Sequence, residues 1–263
     1  MREIIYGRQP VCEVLRGRRS VIDGLWMAKG LQAPGGGVVD VAVTLAEGRG
    51  VPIRETDQRE LERICGDVNH QGLAAQVSEY VYSGMDDILK DASVRTEPPL
   101  ILVLDHLQDP QNLGSILRTA DAGGVHGVII PKDRAVEITP AVVRASAGAS
   151  EHVRVSRVTN LVQTMKALRD EGLWFAGLEA IPEAKLHTAA DLKGPLGLVV
   201  GSEGQGLGRL VRETCDFWIR LPMRGKVSSL NAGVACGIAL YEILRQRGLQ
   251  EAGQPKSKGN ASA

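Results

Sequence analysis

Apolar positions along the chain recur with two alternating periods. Strand-like runs, "VIDGLWMA" (21–28), "VPIRET" (51–56) and "LAAQVSEY" (73–80), are interleaved with helix-like segments at 9–17, 38–50 and 57–67 that end in glycine or charge. This alternation predicts a small α/β unit over residues 1–80. Within it, "APGGG" (33–37) reads as a flexible turn. Residues 81–99 are polar and close on "RTEPP", where Pro98 and Pro99 stop any helix, so a linker is expected there. From 100 to 248 the alternation restarts with continuous apolar runs at 100–105, 126–131, 152–156, 173–179, 196–201 and 217–222. Helical segments at 111–122, 140–148 and 159–171 lie between them. Runs apolar throughout suit strands covered on both faces, hence a mainly parallel sheet in a second, larger α/β domain. The tail, 249–263, is polar and is expected to be disordered.

Composition narrows the partners. Aromatic residues are 3% of the chain, which argues against a broad stacking platform for single-stranded nucleic acid. Lys+Arg and Asp+Glu are both 31, so any contact with a polyanion must come from local patches. Cys12, Cys65, Cys215 and Cys236 form no C-x-x-C pair, and the histidines show no ligand spacing. Neither a metal site nor a disulfide framework is expected, which fits a reducing cytoplasm. The start, "MREIIYGRQP", has no apolar h-region, so no signal peptide is expected. No apolar run approaches the roughly 20 residues that span a bilayer, so no membrane partner is expected.

The segment "LVVGSEGQGL" (198–207) poses a chemical question. A strand running into a glycine-rich turn usually cradles phosphate with bare backbone N–H groups. This one carries Glu203, which would repel phosphate. Gly201 and Gly206 have Walker A spacing, but Leu207 and Gly208 stand where Lys and Ser/Thr belong. Gly204-x-Gly206 is followed by Arg209 instead of the third glycine of a dinucleotide fingerprint. From the loop alone, a tight turn in which glycines supply positive φ explains the residues equally well.

Two other segments bear on it. In "DPQNLGSILRTADAGGVHGVII" (109–130), Asn112 sits where the chain leaves the first strand of the second domain. Arg118 lies in a helix whose neighbours are small or apolar, and it must find a salt-bridge partner or a ligand. In "LPMRGKVSSLNAGVACGIALYEILRQR" (221–247), Leu230, Val234, Ile238 and Tyr241 share one helical face. Ser228 or Ser229 is a reasonable N-cap, and capping also explains Asn231.

Taken together, the three segments resemble the SpoU (TrmH-like) family of RNA ribose 2′-O-methyltransferases. They carry its motifs in order: N-x-G-x-x-x-R-x-A at Asn112 to Ala120, G-x-E-G-x-G at Gly201 to Gly206, and L-P-M…S-S-L-N-x-x-x-A at Leu221 to Ala235. The N-terminal unit, with "HQG" at 70–72, also resembles the accessory RNA-binding domain of the subgroup that modifies guanosine in 23S ribosomal RNA.

The resemblance implies S-adenosylmethionine as cofactor, whose sulfonium is cationic and would not be repelled by Glu203. It implies backbone contacts to that cofactor near Gly201, Leu221, Met223 and Leu230. Arg118 would clamp the target phosphate and favour the developing alkoxide. Glu203 would orient Arg118 or the loop, and Asn112, Ser229 and Asn231 would position the ribose. A SPOUT-type trefoil knot and a homodimer acting on ribosomal RNA are implied in the same way. The apolar face of the last helix is compatible with a dimer and equally with intrachain core. Residues 1–80 carry 10 Lys+Arg against 11 Asp+Glu, so their hold on RNA would rest on local features. Candidates are Arg8, the "RGRR" run with Arg16, Arg18 and Arg19, and the shape around His70 and Gln71. A solvated helix end explains "RGRR" as well.

Overall fold

The computed structural model describes residues 2–248 except 18, 20, 32–36 and 228. Arg18, Ser228, most of the 33–37 turn and the 249–263 tail therefore lie outside the described residues. The first unit runs β1 (Arg2–Tyr6), α1 (Arg8–Arg16), β2 (Ile22–Ala28), α2 (Val38–Gly48), β3 (Ile53–Thr56), α3 (Gln58–Cys65) and β4 (Leu73–Ser78). Its sheet has the order β1-β4-β2-β3, with β4 antiparallel to both neighbours and β2 parallel to β3. The edge strand β1 has no counterpart among the sequence expectations, because its short "REIIY" run is largely half-buried and carries little pattern.

The segment expected to be a linker holds α4 (Met85–Arg95). Its Ile88 is buried among Ile101, Ile129 and Phe175, and its side chain lies where a Cβ on Gly127 would meet it at 2.5 Å. Polar composition hid this element because only Ile88 and Ala92 of its residues are buried. The helix ends on Thr96 in the left-handed conformation, just before the two prolines.

The second unit runs β5 (Leu100–Leu104), α5 (Pro110–Ala122), β6 (Gly127–Pro131), α6 (Pro140–Ala145), β7 (Val155–Val158), α7 (Leu161–Asp170) and β8 (Trp174–Leu178). It continues through β9 (Lys185–Leu186), β10 (Leu196–Val200), α8 (Arg209–Thr214), β11 (Phe217–Arg220) and α9 (Ala232–Arg247). Its seven strands are all parallel, in the order β7-β6-β5-β10-β8-β11-β9. Every residue of β5, β6 and β10 is buried, as continuous apolar runs require of central parallel strands.

The order of the strands places the site. From β5 the chain moves outward through β6 and β7, then crosses back to β8. The later strand β10 is inserted between β5 and β8, in register with both. The loops leaving β5 and β10 diverge at their carboxyl ends, the kind of crevice where open α/β sheets hold ligands. Above it, α5 and α9 approach closely: a Cβ on Gly233 would fall 2.1 Å from Ser115 Oγ, and one on Gly123 would fall 2.9 Å from the Leu240 side chain.

One apolar core runs beneath both sheets, joining Ile5, Val11 and Leu25 to Leu102, Leu113 and Val143. The junction is stitched by polar contacts as well. His152 pairs with Glu13 at 2.8 Å, Arg144 donates to Asn69 O at 2.5 Å, and Ser83 N donates to Val155 O at 2.8 Å.

Candidate active site

After Val200 the chain doubles back on itself. Ser202 and Gly206 form an antiparallel bridge, with Gly206 N donating to Ser202 O at 3.0 Å. A Cβ on Gly201 would lie 2.3 Å from the Gly206 carbonyl, so this position admits no side chain. Gly204 (φ 82°) and Gly206 (φ 65°) lie in the left-handed region that glycine reaches without strain. Self-contact, not an approaching phosphate, accounts for the glycines.

The turn presents Glu203 to the N-terminus of α9. Its Oε1 accepts from Ala232 N at 3.2 Å, from Asn231 Nδ2 at 2.7 Å and from Asn112 Nδ2 at 3.1 Å. The second Asn231 amide hydrogen goes to Asn112 Oδ1 at 2.7 Å, while Asn231 Oδ1 caps α9 by accepting from Gly233 N and Val234 N. Asn231 is thus both an N-cap and a cross-link. Asn112 stands in the first turn of α5, started by Pro110 and by Asp109, which accepts from Gln111 N at 3.0 Å. The three sequence motifs therefore meet in one hydrogen-bonded triad of a carboxylate and two amides. A carboxylate at the positive end of a 16-residue helix is well placed.

Arg118 lies further along α5, exposed, with no hydrogen bond or ion pair among the described residues. The expectation that Glu203 orients either Arg118 or the loop resolves toward the loop: all three of its bonds hold backbone or amide groups, and none reaches the guanidinium.

On the β8 and β11 side of the glycine loop is a cavity of about 260 Å³. Gly201, Leu221, Met223 and Leu230, the residues expected around the cofactor, all line it, together with Glu203 and Ser229. Glu179 at the end of β8 and Arg220 at the end of β11 also line it and were missed from sequence. Glu179 accepts from Arg212 Nη2 at 2.6 Å, a pair that helps fix the loop wall. A charged residue directly after an apolar strand was the available signal for Glu179. Largely apolar walls that carry two carboxylates and the Arg220 guanidinium suit a ligand with an apolar body and both cationic and anionic groups, and S-adenosylmethionine, with its sulfonium, ammonium and carboxylate, meets that description. A polyphosphate does not.

On the β5 side a second cleft, about 590 Å³, shares Ser202, Glu203 and Gly206 with the first and extends over His106, Asn112, Arg134 and Arg209. Thiol chemistry has no place in either. Burial pushes Cys215 and Cys236 up to about 12, and no cluster of metal-ligating side chains occurs among the described residues.

The N-terminal candidates divide. Arg8 and Gln71 are exposed and hold each other, Arg8 N donating to Gln71 Oε1 at 3.0 Å, beside a groove of about 500 Å³ that Asn69 and Gln58 also line. Arg16 is exposed and pairs with Glu13 at 2.8 Å. Arg19 corrects the reading. Arg19 is 3% exposed, paired with Glu151 at 3.2 Å and Glu3 at 2.6 Å at the junction of the two units. His70 is also 3% exposed, its Nδ1 accepting from Gly72 N at 3.0 Å inside the "HQG" turn. Arg19 serves the fold and is closed to RNA, whereas His70, though largely buried, lines the groove beside Arg8 and Gln71 and acts there through its shape.

A seven-stranded parallel sheet with three converging motifs at its switch point defines a methyltransferase architecture, and the chain belongs to the SpoU rRNA methylase family, whose profile matches residues 99–241. A second profile, the RNA 2′-O ribose methyltransferase substrate-binding domain, matches residues 4–83. Among similar proteins, the 23S rRNA (guanosine-2′-O-)-methyltransferase RlmB of Pseudomonas aeruginosa is 44% identical, with 93% of this chain and 97% of that protein covered. The crystal structure of the SpoU methyltransferase AviRb from Streptomyces viridochromogenes with AdoMet is similar at TM-score 0.76 and 26% identity, covering 94% of this chain and 90% of that one. A tRNA-modifying TrmH/SpoU enzyme of A. aeolicus is similar at TM-score 0.53 and 30% identity, but covers 62% of this chain and 83% of its own. No helix among the described residues is long and apolar enough to cross a membrane.

Proposed function

We propose that this protein transfers a methyl group from S-adenosylmethionine to the ribose 2′-hydroxyl of a guanosine in 23S ribosomal RNA, in the cytoplasm. The observation that carries this reading is the Glu203–Asn112–Asn231 triad, which ties the three motifs into one site between the cavity lined by the expected cofactor residues and an open cleft. The 23S guanosine is supported by the similarity to the Pseudomonas RlmB over nearly the whole of both chains. A transfer-RNA substrate is less favoured, since the A. aeolicus tRNA enzyme aligns with only 62% of this chain.

Bound S-adenosylmethionine supplies an electrophilic methyl on a sulfonium. The residues of the chain supply position and charge. Gly201, Leu221, Met223 and Leu230 hold the cofactor, and Glu179 and Glu203 give its cationic centre a favourable field. Arg118, without a partner among the described residues, clamps the target phosphate and stabilises the 2′-oxygen as its proton departs. Asn112 and Asn231 spend their amides on the triad, so they shape the site more than they touch the ribose.

The family's trefoil knot belongs to this reading: the 221–231 segment returns to bond the tip of the 201–206 loop through Asn231 and Ala232. A homodimer belongs to it as well. Val234, Ile238 and Tyr241 are 42–55% exposed along one face of α9, and an apolar face left open among the described residues supports a second copy of the chain as its occupant.

Calorimetry with S-adenosylmethionine and transfer of labelled methyl to RNA test the proposal together. The wild type should bind the cofactor and label 23S rRNA on ribose, and Gly201→Val should lose binding, because its side chain must displace the loop. Label on a base, or on transfer RNA in preference, would overturn the assignment.

A further inference from the structure

The cleft on the β5 side holds a histidine that no motif accounts for. Asp105 closes β5 and is fully buried. One of its carboxylate oxygens accepts from Gly208 N at 2.7 Å, and the other is hydrogen-bonded to Nδ1 of His106. A carboxylate only accepts, so Nδ1 carries a proton, and in the uncharged form of the ring Nε2 is the nitrogen left as an acceptor. The ring is 42% exposed and opens on the 590 Å³ cleft, so packing does not explain it. His106 also holds a left-handed backbone, φ 57°, a conformation uncommon outside glycine. Arg134 lines the same cleft, is exposed and has no ion pair among the described residues.

We propose that His106, oriented by Asp105, reads the ribose of a nucleotide flanking the methylation target, with Nε2 accepting a hydrogen bond from its 2′-hydroxyl. This deepens the function proposed above and rests on it. In an RNA backbone the phosphate only accepts and the 2′-hydroxyl is the donor. An acceptor nitrogen and a guanidinium lining one cleft match one hydroxyl and one phosphate of the same strand. The cleft shares Asn112 and Glu203 with the site, so a strand lying in it is continuous with the target nucleotide. His106 is a positioning residue for RNA and takes no part in the cofactor cavity, which it does not line.

The test uses the full-length protein, S-adenosylmethionine and a set of 23S rRNA fragments, each with a single 2′-deoxynucleotide within two positions of the target. For the wild type, one of these fragments should show a KM about tenfold higher, the worth of one hydrogen bond. His106→Phe should raise KM for the all-ribose fragment by about the same factor and leave kcat and cofactor affinity unchanged. It should also no longer distinguish the deoxy fragment, whereas His106→Gln, which keeps an acceptor, should recover part of the discrimination. An unchanged KM in His106→Phe would overturn the inference. So would a loss of cofactor affinity, which would make the pair a brace for the glycine loop, or a raised KM with no fragment singled out, which would place the contact on a base. Failure of the wild type to methylate ribose in any fragment would instead sink the reading beneath it.

Discussion

At the junction of the two sheets Arg19 is enclosed: its guanidinium meets Glu151, Glu3, the Ser78 carbonyl and the face of Tyr80. On α5, Arg118 stands in solvent with no partner among the described residues. The surrounding sequence points the other way. Arg19 sits in a basic run that reads as a solvated patch, and Arg118 sits among small and apolar residues that read as core. Charge density along the chain is therefore a poor guide to which arginine waits for a ligand. A cation with no internal counter-charge has to be found in three dimensions.

Removing each in turn should give opposite signatures. Arg19→Ala strands the buried Glu151 carboxylate, which burial already pushes up against the pull of Arg19. A loss of about 3–5 kcal/mol in stability is expected from chemical denaturation, with the activity of the remaining folded protein largely kept. A loss within the range of surface substitutions would break the comparison. Arg118→Ala should leave stability within about 0.5 kcal/mol. It should lower methyl transfer about 100- to 1,000-fold with cofactor binding intact. Arg118→Lys should be nearly as poor, because a point charge does not reproduce a planar fork. Near-wild-type turnover with saturating RNA would remove Arg118 from the site.

Glu203→Gln sharpens the contrast, since this residue is both structural and close to the chemistry. The amide keeps an acceptor for Asn112, Asn231 and Ala232 but loses the charge. The difference between a charged and a neutral hydrogen bond, about 1 kcal/mol, predicts a five- to tenfold slower transfer with little change in Tm. An unaltered rate would make the carboxylate a loop brace alone.

The smallest effect lies away from both arginines. His126 is buried, its Nδ1 accepting from Leu100 N, and burial, then Arg95, holds it below its ordinary value. Below about pH 6.5 the unfolded chain takes up a proton that the folded chain refuses. Stability at pH 7 is therefore complete and should fall as pH drops from 6.5 toward the lowered value, by at most about 1.4 kcal/mol per pH unit. His126→Asn should flatten that slope. An unchanged slope would assign it to other groups.

Much of the site was legible because its motifs are local in sequence. The triad residues and the buried strands β5, β6 and β10 lie within short windows, and the family resemblance carried by those windows pointed to the four positions that line the cavity. What escaped depends on distant partners. Glu151, far along the chain from Arg19, decides that residue's fate. Ile88 makes α4 part of the catalytic core, through contacts with Gly127 and Phe175 that polar neighbours conceal. A truncated chain starting near Thr96 would consequently expose that core, so an independent catalytic unit has to keep α4. The strand β9 and helix α8 are too short to carry a period.

The site that the three motifs assemble should make a single ribose methylation. Incubation of unmodified 23S rRNA with the protein and S-adenosylmethionine bearing a deuterated methyl, followed by nucleoside mass spectrometry, tests it most directly. One deuterated 2′-O-methylguanosine per rRNA is expected with the wild type and none with Arg118→Ala at equal cofactor occupancy. Deuterium on a base, on another nucleoside, or undiminished in the Arg118 variant would contradict it.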